Sequence, residues 1–478
     1  MHKEYSIKRA ALINAAGKYS TIILQLIVNA ILSRLLSPDD YGIVAVITVF
    51  STFFISLSDM GFGTAVVQRK DLSKEDINGI FTTTIFVAIF LALGFVLLAF
   101  PISLFYNDSV FVPLGGLLSI SLFFNAINMI PNGIMNREKK FIAIAIRTIV
   151  TYALSSIISV VLAFHGFRYY AIVIQTMLSS FIIFIWNYLE TKPKFKVSGC
   201  LISTKKVLNY SGYQFAFNMV NYLSRNLDNL LTGKFMGNSA LGYYNKAYSL
   251  MLYPVNNLTG VISPVLHPVL SDYQSHKEII YKKYTEIVKI LSLIGVFIAP
   301  FCYFASNEII SILYGTQWEQ SVKCFQILSF AILPQLVGSS AGAIYQSLGK
   351  TKLLFFNGVI NTAITIIAIL CGVLIGKNII FLSICVSIAY ITHFFTVYFM
   401  LIHLGFGYKF INFLRKLFPE IIILVVMMLI VHFVKITSVN VLFSFALKLI
   451  ILGIVYAIML LLTKEYIIFY KLIKRRSK

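Results

Sequence analysis

Apolar runs of about 18 to 25 residues recur along the whole chain, and no other feature restricts its fold as strongly. Each run is long enough to cross the hydrocarbon core of a bilayer as an α-helix, and together the runs leave no room for a separate soluble domain. Only 12% of the 478 residues are charged, whereas soluble domains contain roughly 25%. The sequence therefore predicts an all-α polytopic membrane protein with about fourteen transmembrane helices.

Basic residues are distributed unevenly between the two sets of loops that these helices define. One set, which includes the N-terminal segment, contains most of them, for example Lys139, Lys140 and Lys192, whereas the other set contains few, such as Arg168 and Lys377. Because basic loops remain on the cytoplasmic side, this asymmetry predicts that both termini are cytoplasmic. It also explains the formal net charge of +22 without nucleic acid as a partner.

The chain is predicted to consist of two halves and a short extension. A basic connector that contains proline separates two groups of six predicted helices, and two further helices follow. We expect an N-terminal six-helix bundle at residues 1–188, a cytoplasmic connector at 189–207, a second six-helix bundle at 208–404, and two additional helices with a basic cytoplasmic tail at 405–478. The two additional helices either pack on the second bundle or shape a lipid-facing groove.

An internal repeat suggests that the two halves are related. The segment GKYSTIILQLIVNAILSR, which begins at Gly17, aligns at a constant shift with the polar positions of residues 210–234, and Gly42 aligns with Gly242 at the same shift. We interpret the match as a duplicated, pseudo-symmetric bundle, with chance similarity among apolar segments as the alternative.

One predicted helix, within residues 210–234, carries a stripe of polar side chains. They recur at steps of three or four, which places them on one helical face: Gln214, Asn218, Asn221, Arg225, Asp228 and Thr232. A stripe that includes a charged arginine cannot face lipid, so we predict that it lines a wet interior. For Arg225 and Asp228, a structural ion pair and a role in gating are the two interpretations.

Cations outnumber acids at membrane depth. A charge there costs roughly 2.5 to 3.5 kcal/mol, so their number implies a hydrated, positively charged cavity. The predicted substrate-binding residues are Lys18, Gln25, Arg147, Asn218, Asn221, Arg225 and Lys246. Because ammonium and guanidinium groups replace water around a phosphate, the cavity favours an anionic cargo over organic cations. For Lys18, Arg147 and Lys246 the alternative is snorkelling to the membrane interface.

The remaining ionisable residues at depth receive other roles. Asp59 and Asp228 are the candidates for gating or ion coupling, with capping of its helix end as the alternative for Asp59. We expect Lys289 at the membrane interface and Lys448 next to lipid.

Neutral polar residues follow one face of the fourth predicted helix at steps of three or four: Ser121, Asn125, Asn128, Asn132 and Asn136. Two interpretations stay open for them. The amides bind the hydroxyl groups of a sugar, or they hydrogen-bond helices to one another in lipid.

No pattern typical of an enzyme, a metal site or a cofactor site occurs. The five cysteines are scattered without CxxC or Cys/His spacing, and the histidines show no ligand spacing. HExxH, GxSxG, P-loop and paired-carboxylate motifs are absent from the sequence. We therefore predict no catalytic residue, no metal and no cofactor.

Several segments resemble those of one transporter family. They are LSPDDYG from Leu36, DMGFGTAVVQRKDL from Asp59, LFYND from Leu104, REKKF from Arg137, LDNLLTGKFMGNSALGYYNKAYSL from Leu227 and VISPVLHPVLSDYQ from Val261. They are similar to the Wzx-type and teichuronic-acid-exporter-like flippases of the polysaccharide transporter family, in the multidrug/oligosaccharidyl-lipid/polysaccharide superfamily. The resemblance covers most of the first nine helices. His267 departs from the related pattern, which tends to have an aromatic residue there, and this puts the local packing in question.

The resemblance implies two six-helix bundles around a cationic cavity that opens alternately to the two sides of a bacterial inner membrane. The implied cargo is a polyprenyl-diphosphate-linked oligosaccharide, flipped to the outer leaflet for O-antigen, capsule or exopolysaccharide synthesis. The implied partners are membrane lipid, a polysaccharide polymerase and chain-length proteins. Two alternatives remain: a multidrug or cation antiporter of the same superfamily, and a membrane polysaccharide polymerase, which normally needs a large external loop that this chain lacks.

Overall fold

The structure is a computed structural model that describes residues 7–59, 61–197, 200, 203–204, 219, 222, 224–274, 276–434, 436 and 440–470. These residues form helices joined by short turns and contain no β-strand. Within them, ten helices are long and apolar enough to cross a membrane, or eleven if the bent pair Phe410–Lys416 and Phe418–Phe433 counts as one span. The predicted all-α polytopic fold is confirmed, whereas the total of about fourteen helices stays a prediction.

The described residues up to position 197 form seven helices: α1 (Ile7–Leu35), α2 (Pro38–Asp59), α3 (Phe62–Gln68), α4 (Lys74–Tyr106), α5 (Phe111–Arg137), α6 (Phe141–Phe164) and α7 (Arg168–Thr191). The next two helices along the described chain are α8 (Leu227–Met236) and α9 (Asn238–Ser271). The longest of the first seven, α4, begins with a capping box, in which Ser73 Oγ accepts a hydrogen bond from the Asp76 N–H at 3.1 Å and Asp76 Oδ2 accepts one from the Ser73 N–H at 3.2 Å. This reciprocal pair satisfies two backbone donors at the helix start.

The chain divides into two compact units, Met1–Gly242 and Tyr243–Lys478. The first unit has an apolar core between α2, α4 and α5, where Phe95 and Phe111 are fully buried. The expected boundaries at residues 188, 208 and 404 stay a prediction.

Two helix starts in the first unit touch through their backbones at glycine. A Cβ atom added at Gly42 of α2 would lie 1.8 Å from the carbonyl oxygen of Asn238, and one added at Gly242 of α9 would lie 1.9 Å from the carbonyl oxygen of Pro38. The contact is reciprocal, and only a residue without a side chain permits such an approach. It involves the two glycines that the internal repeat aligns, while the duplication itself stays a prediction.

The second unit continues after α9 with ten α-helices among its described residues: α10 (Lys277–Phe304), α11 (Ser306–Leu313), α12 (Glu319–Leu328), α13 (Ile332–Gly338), α14 (Ala341–Ser347), α15 (Thr351–Leu370), α16 (Ile379–Phe399), α17 (Phe410–Lys416), α18 (Phe418–Phe433) and α19 (Val441–Leu462). π-Helical turns at Cys371–Gly376 and Met400–Phe406 extend α15 and α16. Its largest apolar cluster contains a buried pair of tyrosines, in which the hydroxyl groups of Tyr284 and Tyr398 lie 2.8 Å apart. Because each hydroxyl group has a hydrogen-bond partner, its burial costs little free energy.

A buried ion pair fixes one end of α19. Lys448 Nζ lies 2.7 Å from Glu308 Oε1 and 2.9 Å from the carbonyl oxygen of Phe304, and Ser444 Oγ donates to Glu308 Oε1 at 2.6 Å. Burial acts to raise the pKa of the Glu308 carboxyl, but the hydrogen bonds from Lys448 and Ser444 lower that pKa below its ordinary value. The expectation that Lys448 lies next to lipid is therefore wrong, because Lys448 is only 7% exposed and its ammonium group pairs with Glu308 inside the protein.

A second ionic cluster holds the opposite end of the last two helices. Lys289 Nζ of α10 lies 2.7 Å from Glu465 Oε1, just beyond α19, and 3.6 Å from Glu420 Oε1 of α18. Between the two ionic contacts, α10, α18 and α19 share an apolar cluster that includes Leu293, Met427 and Leu452. Of the two interpretations given for these helices, the structure supports packing on the helices that precede them.

Candidate functional site

A series of polar contacts joins α5, α6 and α7 in the first unit. The hydroxyl groups of Ser121 and Ser180 lie 2.8 Å apart, and Asn125 Nδ2 donates to Ser180 Oγ at 2.7 Å. Between α7 and α6, Gln175 Nε2 donates to Ser156 Oγ at 2.8 Å. Asn125 is thus an amide that bonds helices together, which is the second of the two interpretations given for the α5 residues.

Toward the end of the unit where α6 begins, the polar contacts include the guanidinium group of Arg147. Its Nη1 atom lies 2.5 Å from Oδ1 of Asn187 and 3.3 Å from Oδ1 of Asn132, and Asn187 Nδ2 donates to Oδ1 of Asn128 at 2.7 Å. The Arg147 residue is only 6% exposed. No ion pair of the described residues includes it. An arginine buried among neutral amides keeps its whole positive charge, at a substantial desolvation cost.

The acidic residues at this end of α6 and α7 pair with another cation. Lys140 precedes α6, and its Nζ lies 3.1 Å from Glu138 Oε2 and 3.4 Å from Glu190 Oε2. Burial acts to lower the pKa of Lys140, but the hydrogen bonds to the two carboxylates outweigh it and raise that pKa above its ordinary value. Glu190 lies only three residues beyond Asn187, yet its carboxylate contacts Lys140 and makes no ion pair with Arg147.

Two predicted site residues on α1 lie at or beyond the level of Arg147. Gly17 packs closely on α6, where an added Cβ atom would lie 2.9 Å from Cβ of Ala145. This contact brings Lys18 and Arg147 to a similar depth in the unit. Lys18 is exposed, and Gln25, about two turns further along α1, is half-buried. Their roles in substrate binding stay predictions.

Arg225 and Asp228 differ in their surroundings. Arg225 is exposed, whereas Asp228 is 2% exposed in the first turn of α8, where its Oδ1 accepts a hydrogen bond from the next backbone N–H at 2.8 Å. Thr232 is also buried, and a Cβ atom added at Gly233 would lie 2.8 Å from a methyl group of Val46 on α2. The predicted polar stripe is therefore divided: Asp228 and Thr232 are buried against protein, whereas Arg225 is exposed.

Lys246 is a buried cation of the second unit. It is 5% exposed on α9, and its Nζ lies 4.6 Å from the ring centre of Tyr314 and 5.4 Å from that of Trp318. Aromatic faces stabilise a buried ammonium group. The burial does not fit snorkelling, the alternative given above, and a role in substrate binding stays a prediction.

Several predicted residues lie outside the part of the chain that the structure describes: Gln214, Asn218, Asn221 and the side chains of Asp59 and His267. Asp59 itself is the last residue of α2. The substrate-binding role of the two asparagines and the gating role of Asp59 stay predictions.

Sequence reasoning did not identify Asn187, the residue with the shortest contact to Arg147. A signal for it existed, because Ser180 and Asn187 lie seven residues, or about two turns, apart and therefore share one face of α7. The same kind of spacing on α5 identifies Asn128 and Asn132.

The fold and the site together define an all-α polytopic membrane protein whose first unit buries an arginine that has no ion pair among the described residues. The sequence pattern of the family described as "Polysaccharide biosynthesis protein" matches residues 31–323. The chain belongs to that family, which confirms the resemblance seen in the sequence.

Individual relatives agree with this assignment. The chain is similar to the lipopolysaccharide biosynthesis protein WzxC of Escherichia coli (strain K12), with 25% identity over 376 residues that cover 75% of this chain and 74% of that protein. It is also similar to the teichuronic acid biosynthesis protein TuaB of Bacillus subtilis (strain 168), with 23% identity over 338 residues that cover 70% of each. Its fold is similar to that of the lipid II flippase MurJ in an inward closed conformation, with a TM-score of 0.73, 16% identity, and coverage of 95% of this chain and 100% of that chain. This last similarity concerns the fold alone.

Proposed function

We propose that the protein carries a polyprenyl-diphosphate-linked oligosaccharide from the cytoplasmic to the outer leaflet of a bacterial inner membrane. The flipped cargo serves the synthesis of a surface polysaccharide such as O-antigen, capsule or exopolysaccharide. The observation that carries this proposal is Arg147, a buried guanidinium that is held by amides and has no ion pair among the described residues. A diphosphate is a group that such a cation binds through charge-assisted hydrogen bonds. Membership of the polysaccharide biosynthesis family supports a saccharide as the rest of the cargo.

The direction of transport follows from the charge of the cargo and from the topology. We place both termini and the basic end of the helices, where Lys140 and Lys192 lie, in the cytoplasm. Each negative charge that leaves a negative cytoplasm is driven outward by roughly 2.3 kcal/mol per 100 mV. A dianionic cargo therefore needs no coupling ion, and gating is the first role to test for Asp59 and Asp228.

The cargo is proposed to move by alternating access through a cationic cavity. Its proposed lining residues are Lys18, Gln25, Arg147, Asn218, Asn221, Arg225 and Lys246. Such a protein breaks and forms no covalent bond, so it is a transporter and not an enzyme. A polysaccharide polymerase and chain-length proteins would take the cargo over at the outer leaflet.

Reconstituted vesicles that hold a lipid-linked oligosaccharide in one leaflet test the proposal, with an added lectin reporting its arrival in the other. Wild-type protein is expected to deliver the sugar, and Arg147→Gln to slow delivery by at least about tenfold, as expected for loss of a charge-assisted hydrogen bond. Lys74→Gln, at an exposed lysine in the first turn of α4, is the matched control and should transport at the wild-type rate.

Two results would contradict the proposal. One is the appearance of new glycosidic bonds in these vesicles, which would indicate a polymerase. The other is uptake of cationic drugs by wild-type protein without movement of the sugar, which would indicate a multidrug exporter.

A further inference from the structure

Amides surround Arg147 at positions where acids would fit. Asn132 and Asn187 present their Oδ1 atoms to Nη1, and Asn128 in turn accepts a hydrogen bond from Nδ2 of Asn187. Aspartate has nearly the shape of asparagine, so a carboxylate at position 187 or 132 would form an ion pair at hydrogen-bonding distance. An amide oxygen accepts the same hydrogen bond without neutralising the cation. The arrangement therefore orients the guanidinium and leaves its charge intact.

These amide contacts use only one nitrogen atom of the Arg147 guanidinium group. The group has five N–H donors, and both of its hydrogen bonds to described residues come from Nη1. Its Nε atom is buried without a hydrogen-bond partner in the described part of the chain. Nε and Nη2 together form the edge of the guanidinium that presents two parallel N–H groups, the geometry that binds two oxygens of one phosphate.

We infer that Asn128, Asn132 and Asn187 are positioning residues that hold the Arg147 guanidinium as a free cation, so that its Nε–Nη2 edge binds the diphosphate of the cargo. This inference rests on the proposed function. Because Arg147 is 6% exposed, contact with the cargo requires the neighbouring helices to move, and alternating access supplies such a movement. Shelter from water also strengthens the contact once it forms.

A purely structural role for Arg147 makes a different prediction. In that case the guanidinium only ties α6 to α5 and α7, and an acid in place of Asn187 would strengthen the same tie. Asn187→Asp would then fold, melt at the wild-type temperature or above, and still bind and move the cargo. On our account it folds equally well but loses binding, because the new carboxylate occupies the cation permanently.

The test is a titration of the full-length protein with polyprenyl diphosphate, with polyprenyl monophosphate in parallel. Trp186, next to Asn187, and Trp318 are the two tryptophans of the chain, so a Trp318→Phe background leaves one fluorescent reporter beside the site. Asn187→Asp is expected to weaken diphosphate binding by about 10- to 100-fold. Asn187→Ser, whose shorter side chain loses the contact with Nη1 but adds no charge, should weaken binding by less than about tenfold, clearly less than Asn187→Asp.

Two further variants are needed: a control for the chemical change and a replacement in case Asn187→Asp does not fold. Asn107→Asp makes the same chemical change at an exposed residue between α4 and α5, where the backbone φ of +54° suits aspartate as well as asparagine, and it should bind as wild type. If Asn187→Asp does not fold, Asn132→Asp takes its place, with the same expected loss.

The outcomes separate this inference from the proposed function. Folded Asn187→Asp that binds diphosphate like wild type overturns the inference, as does an equal loss in Asn187→Ser, since either result shows that the free charge does not matter. Neither result affects the proposed function, provided that wild-type protein moves a lipid-linked oligosaccharide in vesicles. A wild-type protein that moves none contradicts the function itself.

Discussion

Replacing Gly242 with alanine should force apart two helix starts that touch through their backbones. A Cβ atom there would lie 1.9 Å from the carbonyl oxygen of Pro38 and 2.7 Å from its carbonyl carbon. Carbon and oxygen atoms in contact ordinarily stay about 3.3 Å apart, so the starts of α2 and α9 would have to separate by more than about 1 Å. Backbone atoms, unlike the end of a side chain, cannot rotate away from the new methyl group.

Overpacking of this kind costs about 1–3 kcal/mol, whereas replacing glycine by alanine inside a helix gains about 0.5–1 kcal/mol. We therefore expect a net loss for Gly242→Ala, measured as a lower melting temperature of the purified protein in detergent. Gly116→Ala in α5 is the control, because an added Cβ atom there meets no atom within 4 Å. Its melting temperature should be unchanged or higher.

The reciprocal contact allows a sharper comparison. Gly42→Ala should lower the melting temperature in the same way, since its Cβ atom would lie 1.8 Å from the carbonyl oxygen of Asn238. Because both substitutions need the same separation of the two helix starts, the double variant should lose less than the sum of the single losses. A Gly242→Ala protein that melts at or above the wild-type temperature, or strictly additive losses, would refute this reasoning.

The remaining predictions concern the ion pair of Lys448, its dependence on pH, and the topology. Lys448→Met leaves the Glu308 carboxylate buried without its cation and should destabilise the protein by about 3–5 kcal/mol; adding Glu308→Gln should recover part of the loss in melting temperature, and no recovery would contradict the pairing. Because the pKa of Glu308 lies below its ordinary value, its contribution is complete at neutral pH and should be lost only as the pH falls through that lowered pKa. Melting of wild type and Glu308→Gln across an acid series checks the sign, and a loss on raising the pH would contradict it. In a variant without native cysteines, Lys74→Cys should react with an impermeant maleimide only from inside and Ser109→Cys only from outside, and the reverse pattern would contradict the topology.

The all-α fold and the family could be predicted because both depend on local signals. An apolar run long enough to cross a bilayer is visible without any knowledge of packing. The matching positions of Gly42 and Gly242 were visible in the same way, as members of a repeat. Their contact with each other's helix was not, since it depends on how the two helices meet.

The partners of buried polar groups could not be predicted, because they come from distant parts of the chain. The sequence shows the charge of Lys448, but only the packing of α19 on α10 and α11 brings it to Glu308. Spacing placed the asparagines of α5 on one face and left sugar binding and helix bonding as alternatives. In the structure the amides of Asn125 and Asn128 form hydrogen bonds to α7, through Ser180 and Asn187 respectively.

For Arg147, the sequence predicts the buried charge but not the groups that surround it. Its position within a predicted helix identified it as a candidate cation, while its neutral surroundings became visible only with α5 and α7 in place. Those surroundings give the proposal of an anionic cargo a specific candidate, a guanidinium group that forms no ion pair with any described residue.

The most direct measurement compares two cargoes in the same vesicles: one oligosaccharide linked to polyprenol through a diphosphate, and the same oligosaccharide linked through an uncharged ether. Our account predicts that wild-type protein moves the diphosphate form at least about tenfold faster, and that Arg147→Gln removes this preference by slowing the diphosphate form alone. Equal rates for the two cargoes in wild-type protein, or a preference that survives in Arg147→Gln, would contradict it.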